Sequence, residues 1–241
     1  MTTPNIEIKH MKKWVYLKSN NPADALALAS VIATSNANFN IVRKSYASKF
    51  FKDLENVLVD YYEPSEDTEI SIVEEIDSDS WKQKCDTIAS ILGLGGNKNY
   101  KPYEGFIRHI PDVEKRIARN NSCLLYLFPH PDQNLDLLMI EHLVRLFERQ
   151  GVKCISGGTY IIPCIKGTMD LRQVIDHDVL CAILPKLKFI ITSEKSVASI
   201  CEAFGKKAFV VSQINGFTID GINMSDANQI INYINQRLNN L

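Results

Sequence analysis

Short apolar runs alternate with amphipathic segments along the chain. Residues 14–17 (Trp14-Val15-Tyr16-Leu17) predict a strand. Residues 23–34 predict a helix in which Leu26, Leu28, Val31 and Ile32 supply the apolar positions and Asp24 lies in the first turn. Residues 39–42, 57–59 and 70–73 predict further strands, and residues 45–54 carry a helical pattern between two of them. Residues 81–92 read as a helix ended by Gly93, followed by the loop Gly95-Gly96-Asn97-Lys98-Asn99. Periodicity then lapses after Pro102 until a helical stretch at 113–119.

The second half repeats the alternation. Residues 124–128 form a strongly apolar strand pattern, 135–150 an amphipathic helix closed by Gly151, and 152–155 a strand running into Gly157-Gly158. Residues 171–184 predict a helix interrupted or capped around 176–178. An apolar run at 187–191 leads through a polar turn into a short helix stopped by Gly205, and residues 208–211 start the next strand. The last helix spans 225–238, with Ser225 or Asp226 as its cap.

Strands alternating with helices imply an α/β protein with parallel sheets covered by helices. Both halves open with a strand, a polar proline-containing loop and a long helix: Leu17-Lys18-Ser19-Asn20-Asn21-Pro22-Ala23-Asp24 and Phe128-Pro129-His130-Pro131-Asp132-Gln133-Asn134. The expected architecture is therefore two doubly wound, Rossmann-like domains, 1–118 and 119–241, facing across a cleft.

Composition narrows the function classes. The 241 residues are 45% hydrophobic and carry 27 basic against 28 acidic side chains, so no broad basic surface for nucleic acid is expected. No apolar run approaches the roughly 20 residues that span a bilayer, and the amino-terminal ten residues lack the apolar core of a signal peptide. A cytoplasmic protein without integral membrane association is expected. Six cysteines without a C-x-x-C pair read as reduced core residues, and five histidines form no H-x-x-x-H spacing, so no metal is expected.

The richest chemistry lies in Thr192-Ser193-Glu194-Lys195-Ser196-Val197-Ala198. In an open parallel sheet such a turn lies at the carboxyl end of a strand, where a helix amino terminus offers N–H groups to a phosphate. Ser193 and Ser196 with the N–H groups of Val197 and Ala198 suit a phosphate, and Glu194 suits ribose or sugar hydroxyls. A plain capping box of serine and glutamate accounts for the same residues. Gly157 and Gly158 allow close backbone approach to a nucleotide or simply form a tight turn. His130 reads as a phosphate or acceptor contact or as surface. Asp24 reads as a general base or as a carboxylate favoured by the helix dipole. Asp170 reads as a turn or cap residue.

Several segments together resemble the heptosyltransferase family of glycosyltransferases (family nine, GT-B fold). Asn21-Pro22-Ala23-Asp24-Ala25-Leu26-Ala27-Leu28-Ala29, followed by Phe39-Asn40-Ile41-Val42, is similar to the family's opening, and Cys85-Asp86-Thr87-Ile88-Ala89-Ser90-Ile91-Leu92-Gly93-Leu94, with Lys101-Pro102 after it, to the helix and turn that close its first domain. Pro129-His130-Pro131 resembles its second entry loop, and Gly167-Thr168-Met169-Asp170-Leu171 its G-x-x-D-L turn. Residues 192–205 resemble its N-D-S-G-x-x-H-L-A-x-A-x-G signature. Ala23 stands where the family has glycine, Glu194-Lys195-Ser196 where it has D-S-G, and Ser199 where it has histidine; its basic residue near Gln133 and Asn134 has no clear counterpart.

The resemblance implies transfer of a sugar from a nucleotide-diphosphate donor, ADP- or UDP-linked, to a hydroxyl of a glycan or lipid-linked acceptor. The reaction would be inverting and metal-independent, with no cofactor. It implies Asp24 as general base and Asn20 and Asn21 on the acceptor side. On the donor side it implies Pro129, His130, Gly157, Gly158, Met169, Ser193, Glu194, Lys195 and Ser196. Two other readings stand beside it: a catalytically degenerate binding or assembly module, and a nucleotide-sugar epimerase on the same fold.

Overall fold

The computed structural model describes residues 13–43, 45–60, 69–78, 80–95, 99–128, 136–158, 163–212 and 217–239. They fall into two compact units, one reaching Phe106 and one beginning at Ile107, with residues 79–81 grouped with the second. The first contains β1 (Lys13–Leu17), α1 (Pro22–Ala33), β2 (Phe39–Arg43), β3 (Val57–Asp60), β4 (Ile70–Val73) and most of α2 (Trp81–Ile91). Its strands are all parallel, in the order β3-β2-β1-β4. The helical pattern at 45–54 is realised as a 3-10 helix over Ser45–Phe51.

Helix α1 starts where sequence chemistry places it. Asn21 Oδ1 accepts the Ala23 N–H at 2.9 Å, and Pro22 occupies the first turn, where a missing N–H costs nothing. Small and branched apolar residues surround the axis, so Ala23 through Ile32 are all buried, as in a core helix rather than a surface one. Helix α2 lies on the sheet face of Val15, Leu17 and Val73, because Lys13 Nζ and Ser71 Oγ, on that same face, reach Leu92 O (2.9 Å) and Ile91 O (3.5 Å). On the opposite face Leu58 and Ile72 stay 53% and 44% exposed.

The second unit holds α3 (Pro111–Ala118), β5 (Ser122–Leu127), α4 (Leu137–Arg149), β6 (Lys153–Gly158), β7 (Met169–Asp170), α5 (His177–Ile183), β8 (Phe189–Thr192), α6 (Lys195–Ala203), β9 (Ala208–Ser212), β10 (Thr218–Ile219), β11 (Ile222–Asn223) and α7 (Ala227–Asn239). The sheet order is β11-β10-β9-β8-β5-β6-β7, with β10 antiparallel to both neighbours and β5 to β9 mutually parallel. In each unit the first strand is central, the next two lie to one side and the fourth to the other. This is the doubly wound order, with a reversal of strand sequence between β1 and β4 and between β5 and β8.

The division at 106/107 differs from the expected 118/119, and the reason is electrostatic and apolar. Helix α3 buries Val113 and Ile117 in the second unit, Glu114 pairs with Lys186 at 2.7 Å, and the Arg108 N–H donates to Asp178 O at 3.3 Å. The core of this unit packs α4 and α7 on the face of Cys123, Leu125, Cys154, Phe189, Ile191, Phe209 and Val211. A run of rings, Phe147–Phe189–Phe209–Tyr233, with centroids 5.3, 5.8 and 6.2 Å apart, ties these elements together. All six cysteines are free thiols and only Cys164 is exposed. Burial holds the Cys85 and Cys201 thiols up at about 12, which keeps them unreactive.

Residues 171–176 are a turn and not the start of the predicted helix, which is confined to α5. The backbone N–H groups that would begin a helix are used elsewhere: Leu171 N donates to Ser156 O (2.9 Å) and Gln173 N to Gly158 O (2.8 Å). Gln173 adopts φ 61°, outside helical backbone. Asp170 closes the turn by accepting from Arg172 Nε (2.7 Å), Arg172 Nη2 (2.6 Å) and Arg172 N (3.2 Å). The Arg172 hydrogen bond, opposed in part by burial, holds the Asp170 carboxyl down at about 2.

A depressed carboxyl stabilises the fold at pH values above the unfolded group's titration and loses that contribution as the pH falls from about 4 to about 2. Arg172→Ala should therefore lower stability at pH 6 and converge on the parent protein near pH 2, read from urea unfolding across that range. Gly158 has φ 99°, and a Cβ there would lie 2.6 Å from Leu127 O. Gly158→Ala should lower the thermal midpoint by roughly 5 °C or more, measured by circular dichroism.

Candidate functional site

In open α/β sheets ligands bind outside the carboxyl ends of the strands where strand order reverses. In the first unit that place is formed by the residues after β1 and β4. Lys18 N and Ser19 N both donate to Val73 O (2.9 and 3.3 Å), drawing the two strand ends together. Asp24, in the first turn of α1, is 0% exposed. Its Oδ2 accepts from Ser19 Oγ (2.6 Å) and Ile76 N (3.1 Å), and its Oδ1 accepts from Lys84 Nζ (2.6 Å). Lys84 Nζ also donates to Ile76 O at 2.8 Å, and the lysine side chain is 1% exposed.

The expected base is thus the hub of an internal ion pair. A buried charge is tolerated only when paired and hydrogen-bonded, and this one has three donors. A general base must lie within hydrogen-bond reach of the proton it takes. In this conformation the oxygens of Asp24 face protein donors. Asn20 is exposed, whereas Asn21 is occupied as the cap of α1.

Sequence reading missed Ser19, Ile76 and Lys84. One signal was available: Lys84 sits in the apolar stripe Trp81, Cys85, Ile88 and Ala89 of α2, where a lysine has to find an anion. Nothing in the sequence marked which anion.

In the second unit the reversal lies between β5 and β8. Ser193 Oγ accepts the Phe128 N–H (2.8 Å) and donates to Phe128 O (3.1 Å), so this hydroxyl stitches the two strand ends together. Glu194 precedes α6 with extended backbone, and its N–H donates to Thr192 Oγ1 at 3.1 Å. Its carboxylate makes no capping bond to the helix backbone; Oε2 accepts from Ser196 Oγ at 3.1 Å. Burial pushes the Glu194 carboxyl up, offset in part by that serine. Lys195 is exposed.

Beside this turn Tyr126, almost fully buried, packs against Phe128 and His177, with ring centroids at 5.0 and 6.2 Å. Burial, then the carboxylates of Asp176 and Glu194, push its hydroxyl well above the usual phenol range. Gly157 is explained by this ring, since a Cβ there would meet Tyr126 Cδ2 at 2.9 Å. The glycine pair therefore serves contact with β5.

Ser193, Glu194, Lys195 and Ser196 are brought together with the ends of β5 and β6. Met169 is not: it pairs with Ile155 midway along β6, on edge strand β7, and lines a hollow of about 380 Å³ with Arg116, Glu148, Lys153 and Thr168. Pro129 and His130 lie outside the described residues. Among the described residues no group of three His, Cys, Asp or Glu side chains is placed to hold a metal ion, and no helix is long and apolar enough to cross a membrane.

No protein-family model matches the sequence, and no curated protein matches it. Solved structures do match. The glycosyl transferase family 9 protein from Veillonella parvula DSM 2008 aligns with a TM-score of 0.60 at 9% identity, over 95% of this chain and 98% of that one. The E. coli ADP-heptose lps heptosyltransferase II aligns at 0.53 and 9% identity, over 95% and 98%. The E. coli heptosyltransferase WaaC with ADP aligns at 0.54 and 8% identity, over 93% and 97%. At these identities the likeness is one of fold, and the resemblance read from the sequence motifs holds at that level: the chain has the fold of the family 9 heptosyltransferases.

Proposed function

We propose that the chain transfers a sugar from a nucleotide-diphosphate donor to a hydroxyl of a glycan or lipid-linked acceptor, with the donor at the carboxyl end of the second sheet. The observation that carries this reading is the strand reversal between β5 and β8, with a half-buried carboxylate and the first turn of α6 at its mouth. It is supported by the shared fold, since one E. coli structure holds ADP. A further one, the dodecameric iron-containing heptosyltransferase TibC in complex with ADP-D-beta-D-heptose, aligns with a TM-score of 0.56 at 8% identity, over 85% of this chain and 58% of that one.

In this reading Glu194 accepts hydrogen bonds from ribose or sugar hydroxyls, while Lys195, Ser196 and the first N–H groups of α6 face the diphosphate. Pro129 and His130, which follow β5 in the sequence, belong to the donor side in this reading. The acceptor hydroxyl attacks the anomeric carbon as its proton passes to a base, and the bond to the diphosphate breaks with its charge met by those donors. Asp24 is the base of this proposal, with Asn20 and Asn21 beside the acceptor. That role requires Lys84 to leave the carboxylate first.

A second reading, a catalytically degenerate binding or assembly module, is favoured by one observation: Asp24 is fully buried and committed to Lys84. Titration calorimetry with ADP- and UDP-linked sugars separates the possibilities. The transferase reading expects donor binding and acceptor-dependent product, with turnover lost in Asp24→Asn while donor binding persists. Binding without product favours the module, turnover abolished in Asp24→Asn overturns it, and no binding at millimolar donor overturns the transferase reading.

The Glu194 carboxyl gives an independent check on its placement. Because the folded protein holds this proton more tightly than the unfolded chain does, ionising it costs stability at neutral pH, and the cost fades as the pH falls through the raised value into the ordinary carboxyl range. Glu194→Gln should raise the thermal midpoint at pH 7 and lose that advantage near pH 4, by differential scanning calorimetry.

A further inference from the structure

We propose that the carboxyl end of the first sheet is a receptor for a primary ammonium group, and that Lys84 is its tethered occupant. The lysine nitrogen lies between two oxygens from separate segments, Asp24 Oδ1 at 2.6 Å and Ile76 O at 2.8 Å. The receptor is held in shape without the lysine. Ser19 Oγ and Ile76 N fix the other carboxylate oxygen at 2.6 and 3.1 Å, and Asn21 N donates to Ser19 Oγ at 3.0 Å. Cutting back Lys84 therefore leaves Oδ1 and the Ile76 carbonyl aimed at one point.

The chemistry selects the ligand class. One full negative charge and a carbonyl, both buried, call for a cation with N–H donors on a narrow stem. A primary alkylammonium meets that need, whereas an alcohol lacks the charge and a quaternary ammonium lacks the donors. The position is the strand reversal of the first sheet, where open α/β sheets take ligands, and here a side chain of the protein fills it. Apolar residues at 24 and 84 together would fill the volume without a buried ion pair, so packing of this sheet end does not by itself require the pair. The consequence for catalysis rests on the transferase reading: an acceptor hydroxyl reaches Asp24 only when Lys84 has withdrawn.

Lys84→Ala removes the atoms of n-propylammonium and tests the receptor directly. The variant should lose roughly 10 °C in thermal midpoint at pH 7, the effect of leaving a buried charge unpaired. Adding n-propylammonium chloride at about 50 mM should recover much of that loss in a saturable way. Equal concentrations of n-propanol or tetramethylammonium chloride should not, and the amine should have no effect on Lys84→Ala combined with Asp24→Asn. If Lys84→Ala does not fold unaided, the same additives are compared by refolding yield. Rescue by propanol equal to that by propylammonium, or no rescue beyond the shift in the parent protein, overturns the proposal. Neither readout involves a sugar nucleotide, so ammonium rescue in a protein that binds no donor would refute the transferase reading alone.

Discussion

The Asp24 carboxylate is the constraint on which the first unit is organised. Placed in the opening turn of a helix buried on all sides, it can remain charged only if donors come to it, and they come from three separate segments. Ser19 fixes the end of β1, Ile76 the chain after β4, and Lys84 helix α2. Removing one partner of such a pair leaves an unmatched buried charge, at a cost of about 3–5 kcal/mol. The same carboxylate that could serve as a base therefore also positions the strand ends around itself.

The second unit meets the same topological demand with neutral chemistry. Its strands reverse order between β5 and β8, and the ends are joined by one hydroxyl, Ser193 Oγ, bonded both ways to the Phe128 backbone. No buried charge joins the strand ends there, and the half-buried carboxylate of Glu194 at the mouth of the turn accepts from Ser196 Oγ on its Oε2. The contrast is one of chemistry at the two strand reversals. One reversal point is filled by a lysine of the protein, and the other presents a carboxylate and the first turn of a helix. In the proposed reaction the donor would meet that carboxylate and helix turn, and Asp24 would act only after Lys84 has moved.

Local chemistry made much of the framework legible. The proline-containing loop before α1, the apolar runs at 124–128 and 187–191, and the glycine stops at Gly93, Gly151 and Gly205 each act within a few residues, and the elements lie within about two residues of where those signals place them. The turn at 171–176 was not legible, because its donors go to Ser156 and Gly158 on another strand. Strand β7 and the hairpin of β10 and β11, each strand two residues long, carry too few positions for a period to register. Local pattern groups helix α3 with the first half, because nothing near it in the sequence reveals that Glu114 will meet Lys186.

Short-range signals along the chain set the alternation of strands and helices, the doubly wound character of both halves, and the residue types at each strand end. Those follow from hydrophobic period, capping chemistry and the conformational needs of glycine and proline, all short-range. The contacts those residues make come from packing between distant segments. Ser193 became a strand tie, Gly157 and Gly158 became a seat for β5, Met169 went to an edge strand, and Asp24 acquired Lys84 from 60 positions along the chain. A carboxylate in a first helical turn reads the same whether it faces solvent or a buried ammonium; the partner is chosen by packing across the sheet, which no local pattern encodes.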